Sequence, residues 1–248
     1  VIKSLLHLLS LVYGSVVRGL IFMHHLKPYR LNCKVISVGN ITLGGTGKTS
    51  LVALIAQYLK QEKHKVAILS RGYKRKITRS MLWRRRPLSQ TKEYENIGDE
   101  PYMLKMNLKE VPVVVDADRI RAAKLAMRDY SADTVILDDG LQQWKIKKDL
   151  EIVTIDSTNP FGNGCLIPRG ILRQPLCYLK QADIFVLTKT NINPDVQDIK
   201  DFLASINPGS LIIESIHYPV GFYKIGEPYE LFNKNIFQGK AVTLFSGI

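Results

Sequence analysis

Apolar positions crowd the first 26 residues, from Ile2, Leu5 and Leu6 through Val16, Val17, Leu20, Ile21 and Phe22, with Lys3 and Arg18 as the only full charges. That density predicts a helix over residues 1–27. A cleaved signal peptide fits poorly, because no clear small-x-small site follows the apolar run. A spanning helix would sink Arg18 deep into hydrocarbon, at roughly 2.5–3.5 kcal/mol. An interfacial helix lets Lys3, His7, Ser10, Arg18, His24, His25 and Lys27 reach the headgroups while the leucines enter the acyl boundary. Burial in the protein's own core is the remaining alternative. His24 and His25 are adjacent and share no helical face, which argues against a metal pair.

Beyond Pro28 the pattern changes to short apolar runs separated by helical periods. Lys34–Val38 reads as a buried strand and Gly39–Gly47 as a glycine-rich loop. Lys48–Leu59 reads as a helix with Leu51, Leu54, Ile55 and Leu59 in phase, and Lys65–Ser70 as the next strand. Strand, loop, helix and strand in that order make a βαβ unit, so a parallel sheet is expected. Further strands are predicted at 111–115, 134–137, 151–155 and 183–187, with a helix at 119–130. The expected fold is a P-loop NTPase of the α/β class, with a mostly parallel, doubly wound sheet over 28–190. Residues 72–97 interrupt it with a polar, basic stretch centred on Arg84, Arg85 and Arg86, read as a lid. Residues 191–248 are expected to begin a smaller C-terminal domain, with a helix at 196–203 and strands at 211–215 and 240–245. The chain breaks off at the end of that last strand, which points to a fragment.

Composition narrows the partners. A net charge of +13 with a pI near 9.6 favours an anionic surface or substrate. Nucleic acid is not expected, because no zinc pattern, RNA-recognition signature or aromatic–basic interleaving accompanies the charge. Cys33, Cys165 and Cys177 are few, scattered and odd in number, so neither a disulfide framework nor a zinc site is expected.

The chemistry concentrates after the first strand. Gly44-Gly45-Thr46-Gly47-Lys48-Thr49 between a strand and a helix has the context of a phosphate-binding loop. Its backbone N–H groups and the following helix start face an anion, Lys48 reaches the β- and γ-phosphates, and the Thr49 hydroxyl serves Mg²⁺. The strict pattern asks for a further glycine where Thr42 stands. Asp138 and Asp139 close the strand 134–137, where an enzyme of this kind places its metal carboxylate. Asp99 either caps a helix through Gly98-Asp99-Glu100-Pro101 or accepts a proton from an attacking hydroxyl. Arg119 is either a phosphate clamp at a strand edge or a surface residue beside a capping Asp118.

Together these motifs resemble the tetraacyldisaccharide 4'-kinase family. The resemblance rests on Val38–Thr49, Ser70-Arg71-Gly72-Tyr73, Gly98–Pro101, Asp118-Arg119, Asp138–Gln142 and Pro160–Gly164, in that order. It implies an ATP- and Mg²⁺-dependent enzyme on the cytoplasmic face of the bacterial inner membrane. Its substrate would be a lipid-linked disaccharide phosphate, the lipid A precursor disaccharide-1-phosphate, phosphorylated at the 4'-hydroxyl, and its surroundings the anionic inner membrane. It also implies residue roles: Asp99 and Lys48 in catalysis; Gly44, Gly45, Thr46, Gly47, Lys48, Thr49 and Ser50 on ATP; Thr49, Asp138 and Asp139 on the metal; and Arg71, Glu100 and Arg119 toward the substrate. Two positions depart from the family's pattern, Gln143 in place of His and Gln174 in place of Glu. The family's pattern continues past Ile248 with a histidine, so the chain by itself is expected to be weakly active or inactive.

Two other functions compete. Thr188-Lys189-Thr190-Asn191 faintly resembles a guanine-reading motif, but Asn191 offers one acceptor where a carboxylate would offer two. A membrane-positioned ATPase switch would need a second lysine near the loop start, where Asn40 and Ile41 stand.

Overall fold

The computed structural model describes residues 2–72, 99–218, 221–224 and 227–243. The expected lid lies almost wholly outside them. Contacts divide the chain into two units, Val1–Ser215 and Ile216–Ile248.

The first unit begins with helix α1 (Ile2–Leu26) and alternates β1 (Lys34–Gly39), α2 (Lys48–Gln61), β2 (Val66–Ser70), α3 (Asp99–Asn107), β3 (Val113–Val115), α4 (Arg119–Tyr130), β4 (Thr134–Asp138), β5 (Leu150–Asp156), β6 (Ile184–Thr188), α5 (Gln197–Ile206) and β7 (Leu211–Glu214). Among the described residues, seven strands form one sheet in the order β3-β2-β4-β1-β5-β6-β7, and every pair is parallel. β2 and β4 are buried at all five positions, as strands covered on both faces must be. One core cluster joins Val52 and Ala56 of α2 and Leu104 of α3 to Val38, Ile68 and Ile136. Another seats Ala122, Ala123 and Ala126 of α4 against Val35, Ala67 and Leu137. These small side chains let α4 lie close to the strands. Asp118 caps that helix, its carboxylate accepting the N–H groups of Ile120 and Arg121.

The strand order reverses between β1 and β5, so the C-terminal ends of β4, β1 and β5 form the crevice where an α/β sheet binds ligands. Register places Val38 beside Asp138, which brings the glycine loop and the acid pair to one edge.

The sheet runs on through β7, so the boundary expected at residue 190 falls inside the first unit. The strand expected at 211–215 pairs with β6 and extends this same sheet, and the helix expected at 196–203 shares a core cluster with Phe185 and Leu187 of β6. In the second unit, β8 (Gly221–Lys224) and β9 (Glu227–Asn233) form an antiparallel pair, and the Phe222 and Phe237 rings meet edge-on at 4.9 Å. Residues 240–243 are not a strand, contrary to expectation; the rest of that segment lies outside the described residues.

Helix α1 turns Ser10, Gly14, Val17 and Ile21 inward and leaves Leu5, Leu8, Leu9, Val12, Val16 and Phe22 exposed. By length and composition it is apolar enough to cross a membrane.

Candidate active site

The approach to the glycine loop explains the missing glycine. Thr42 forms a β-bridge with Leu172 and is buried. Around it, Leu43 N–H donates to the Ile171 carbonyl and Arg173 N–H to that of Ile41, each at 2.8 Å. A β-branched residue suits this extended backbone, and the turn is deferred to Gly44 and Gly47. Gly47 stands at φ 76, the left-handed conformation that glycine adopts without a Cβ clash, and no side chain caps the helix it starts. The first N–H groups of α2 are therefore free to hold an anion. Thr46 contributes backbone only: its hydroxyl is buried and bonded to that of Thr154 at 2.7 Å, tying the loop to β5. Thr49 is half-buried and Ser50 exposed. Lys48 Nζ donates to Asn40 Oδ1 at 3.0 Å and lies 3.9 Å from Asp139.

The turn after β4 is locked to β1. Gly140 N–H donates to the Val38 carbonyl at 3.0 Å, and a Cβ on Gly140 would stand 2.3 Å from Ser37 Oγ. Asp139 is thereby held at φ 55, a strained setting for a residue with a side chain. Its two carboxylate oxygens accept from the Arg173 guanidinium at 2.7 and 2.9 Å, a bidentate pair. Burial works to raise the Asp139 pKa, but Arg173, with Lys48 and Arg119 behind it, outweighs burial and holds the carboxyl below its usual value. Asp138 goes the other way. Burial, then the Glu100 charge, raises it to about 6, against a hydrogen bond from the Ser70 hydroxyl at 3.2 Å.

These donors fit Mg²⁺. Asp138 is a buried carboxylate that accepts from the neutral Ser70 hydroxyl, and Thr49 offers a second hard oxygen. Among the described residues no three His, Cys, Asp or Glu side chains cluster, so most positions would fall to water and phosphate, the arrangement magnesium prefers. Asp139, expected beside Asp138 at the metal site, is paired with Arg173.

Arg119 is not a surface residue. It is 2 % exposed, and its guanidinium donates to the backbone carbonyls of Asp116 at 2.5 Å and Asp138 at 3.3 Å. Burial lowers its pKa to about 10. The side chain is drawn under the Asp138 turn because α4 begins there and the turn leaves carbonyls to satisfy. Its Nε has no hydrogen-bond partner among the described residues. Arg71 and Glu100 are exposed. Asp99 is the first residue of α3, and its side chain lies outside the described ones.

Sequence reasoning missed three residues of this edge as site members. Arg173 also donates to Asn40 Oδ1 at 3.2 Å, across 133 positions of chain. Ser70 reaches Asp138, and Gln142 Nε2 donates to the Asn40 carbonyl at 3.0 Å. No local spacing links such positions; only their place within family-like motifs hinted at a role. Beside the turn opens a cleft of about 550 Å³, lined by His24 from α1, by Arg119 and Ile120, and by Gln142, Gln143 and Trp144.

Comparison with known proteins agrees with this geometry. A profile of the tetraacyldisaccharide-1-P 4'-kinase family matches residues 2–248. The tetraacyldisaccharide 4'-kinase of Halothermothrix orenii is 40% identical over 227 residues, 87% of this chain and 57% of the relative. That of Elusimicrobium minutum is 38% identical over 235 residues, 90% of this chain and 62% of the relative. The chain thus spans about three fifths of the length of these relatives. Among solved structures, an LpxK from Aquifex aeolicus in complex with ATP superposes with a TM-score of 0.69 at 28% identity, covering 88% of this chain and 82% of that one. With a match along nearly its whole length, this chain belongs to the tetraacyldisaccharide 4'-kinase family.

Proposed function

We propose that the protein transfers the γ-phosphate of ATP to the 4'-hydroxyl of a lipid A precursor disaccharide-1-phosphate, at the cytoplasmic face of the inner membrane. The reading is carried by one juxtaposition: Lys48, Asp138 and the Asp139–Arg173 pair meet at the uncapped start of α2. Family membership and the ATP held by the Aquifex aeolicus relative support the same donor. The exposed apolar face of α1 favours a lipid acceptor met at an anionic membrane surface.

In this mechanism the α2 N–H groups and Lys48 hold the β- and γ-phosphates. Thr49 and Asp138 would hold a Mg²⁺, which when bound neutralises charge on those phosphates. Asp99 accepts the proton of the 4'-hydroxyl, a role taken from the family resemblance. The sugar oxygen forms a bond to the γ-phosphorus as the bond from that phosphorus to the bridging oxygen breaks, and ADP leaves. Arg173, fixed by Asp139 and Asn40, adds positive charge beside Lys48 where phosphate charge accumulates. The cleft beside Trp144 has polar groups and an aromatic face suited to a sugar phosphate.

The test is γ-phosphate transfer from ATP to detergent-dispersed lipid A disaccharide-1-phosphate, by the full-length protein and its Asp99→Ala variant. Transfer that collapses in the variant supports the assignment. A folded, ATP-binding protein that transfers nothing overturns the acceptor, and equal use of GTP overturns the donor.

A further inference from the structure

Among the described residues, the polar bonds from helix α1 to the body all go to one strap, residues 165–173. The Ser10 hydroxyl donates to the Leu166 carbonyl at 2.8 Å and accepts the Arg169 N–H at 3.0 Å. Gly14 lets the helix close in, since a Cβ there would stand 2.7 Å from Leu166 Cδ1. One turn on from Ser10, the Tyr13 hydroxyl donates to the Arg173 carbonyl at 2.7 Å.

The strap is internally braced. Leu172 N–H donates to the Cys165 carbonyl, Ile167 N–H to that of Leu172, and Gly170 N–H to that of Leu166. Its last residues bridge Ile41–Leu43 ahead of the glycine loop. Arg173 therefore has three attachments: its carbonyl on α1, its N–H on the loop, and its guanidinium on Asp139 and Asn40. Lys48 shares the same Asn40 oxygen.

We propose that Tyr13 is a positioning residue, which sets the Arg173 guanidinium against Asp139 and so couples the seating of the apolar helix to the phosphate site. The inference rests on the kinase reading for its consequence in turnover, but the coupling itself is a property of nucleotide binding as well. A bidentate guanidinium tolerates little displacement, because both of its bonds to Asp139 are directional. The Tyr13 hydroxyl is the point at which α1 touches the backbone of that arginine. An apolar helix that served only to gather a lipid acceptor would need no hydroxyl directed at this carbonyl.

The experiment is a double-mutant cycle in the full-length protein with Tyr13→Phe and Arg173→Lys. Phenylalanine keeps the ring and removes one hydrogen bond, so folding is preserved. Tyr13→Phe lowers kcat about fivefold, with the acceptor KM within about twofold, as loss of one hydrogen bond acting on the reacting end predicts. In the Arg173→Lys background the same change has no further effect, because the group it positions is gone. The cycle is repeated on the Kd for Mg²⁺-ATP without acceptor, where Tyr13→Phe weakens binding about threefold in the parent and not in Arg173→Lys. Equal effects in both backgrounds overturn the proposal, as does a rise in acceptor KM with kcat unchanged. If the parent transfers no phosphate at all, the kinase reading fails, while the binding cycle still decides the coupling.

Discussion

At the ends of β1 and β4, charged groups are held by directional bonds: Arg173 on Asp139, Lys48 on Asn40, Arg119 on the Asp138 carbonyl. On the outer face of α1, Leu5, Leu8, Leu9, Val12 and Val16 lie exposed. The first region is specified by directional bonds, so a small displacement breaks it. The second is specified by apolar area, which is non-directional and indifferent to which leucine supplies it. The two should therefore respond differently to substitution, and the strap 165–173 is where they join.

The sharpest contrast comes from Lys48→Met. It preserves length and removes the charge, and kcat for phosphate transfer should fall about 10³-fold, measured by ATP-dependent phosphorylation of the lipid acceptor. Vesicle binding should not change; if it does, the two regions are not separable.

Asp138→Asn comes next and works in opposite directions on activity and stability. The folded pKa of Asp138, about 6, lies above the ordinary 3.8 because burial disfavours the charge. The charged carboxylate thus lowers stability above pH 6, and the deficit disappears as pH falls from 6 toward 4, where the folded state binds the proton more tightly. The shift corresponds to about 2–3 kcal/mol. Asparagine should raise the Tm at pH 7 while abolishing transfer, and the Tm difference should vanish near pH 4. Equal Tm values at pH 7 would show that Asp138 is not strained by burial. The same titration predicts that Mg²⁺-dependent ATP binding by the parent weakens as pH drops through 6.

On the helix, replacing Leu8, Val12 and Val16 together by Gln should weaken sedimentation with anionic phospholipid vesicles about thirtyfold, with Tm unchanged within a few degrees. A large loss of Tm would mean that this face is covered by protein. Smallest is Ser10→Ala, which leaves the Arg169 N–H and Leu166 carbonyl without their side-chain partner and should lower stability by about 1–2 kcal/mol in denaturant unfolding. No loss would mean that apolar contact alone seats the helix.

Local pattern carries much of this architecture. Buried strands read as continuous apolar runs, and α2 and α4 show their helical period in the residue order alone. Gly47-Lys48-Thr49 announces a phosphate loop because its geometry is local: a left-handed glycine followed by an uncapped helix start. Asp138 and Asp139 stand out because acids ending an apolar strand face the ligand edge of a parallel sheet. Their different fates are not legible there. One is raised to about 6 by burial and the other is held low by an arginine 34 positions away, and both causes depend on what surrounds the turn.

The chain's covalent order thus determined most element types of the first unit, the glycine loop ahead of α2 and the apolar character of α1, since each follows from short-range conformational preference or composition. Only the tertiary structure decided that Thr42 is a bridge residue rather than a missing glycine, that Arg119 is sealed beneath the carboxylate turn, and that Arg173 and Tyr13 link helix to site. Hydrogen bonds spanning 19 to 160 positions depend on strand order and crossover packing, and no periodicity in the sequence encodes them.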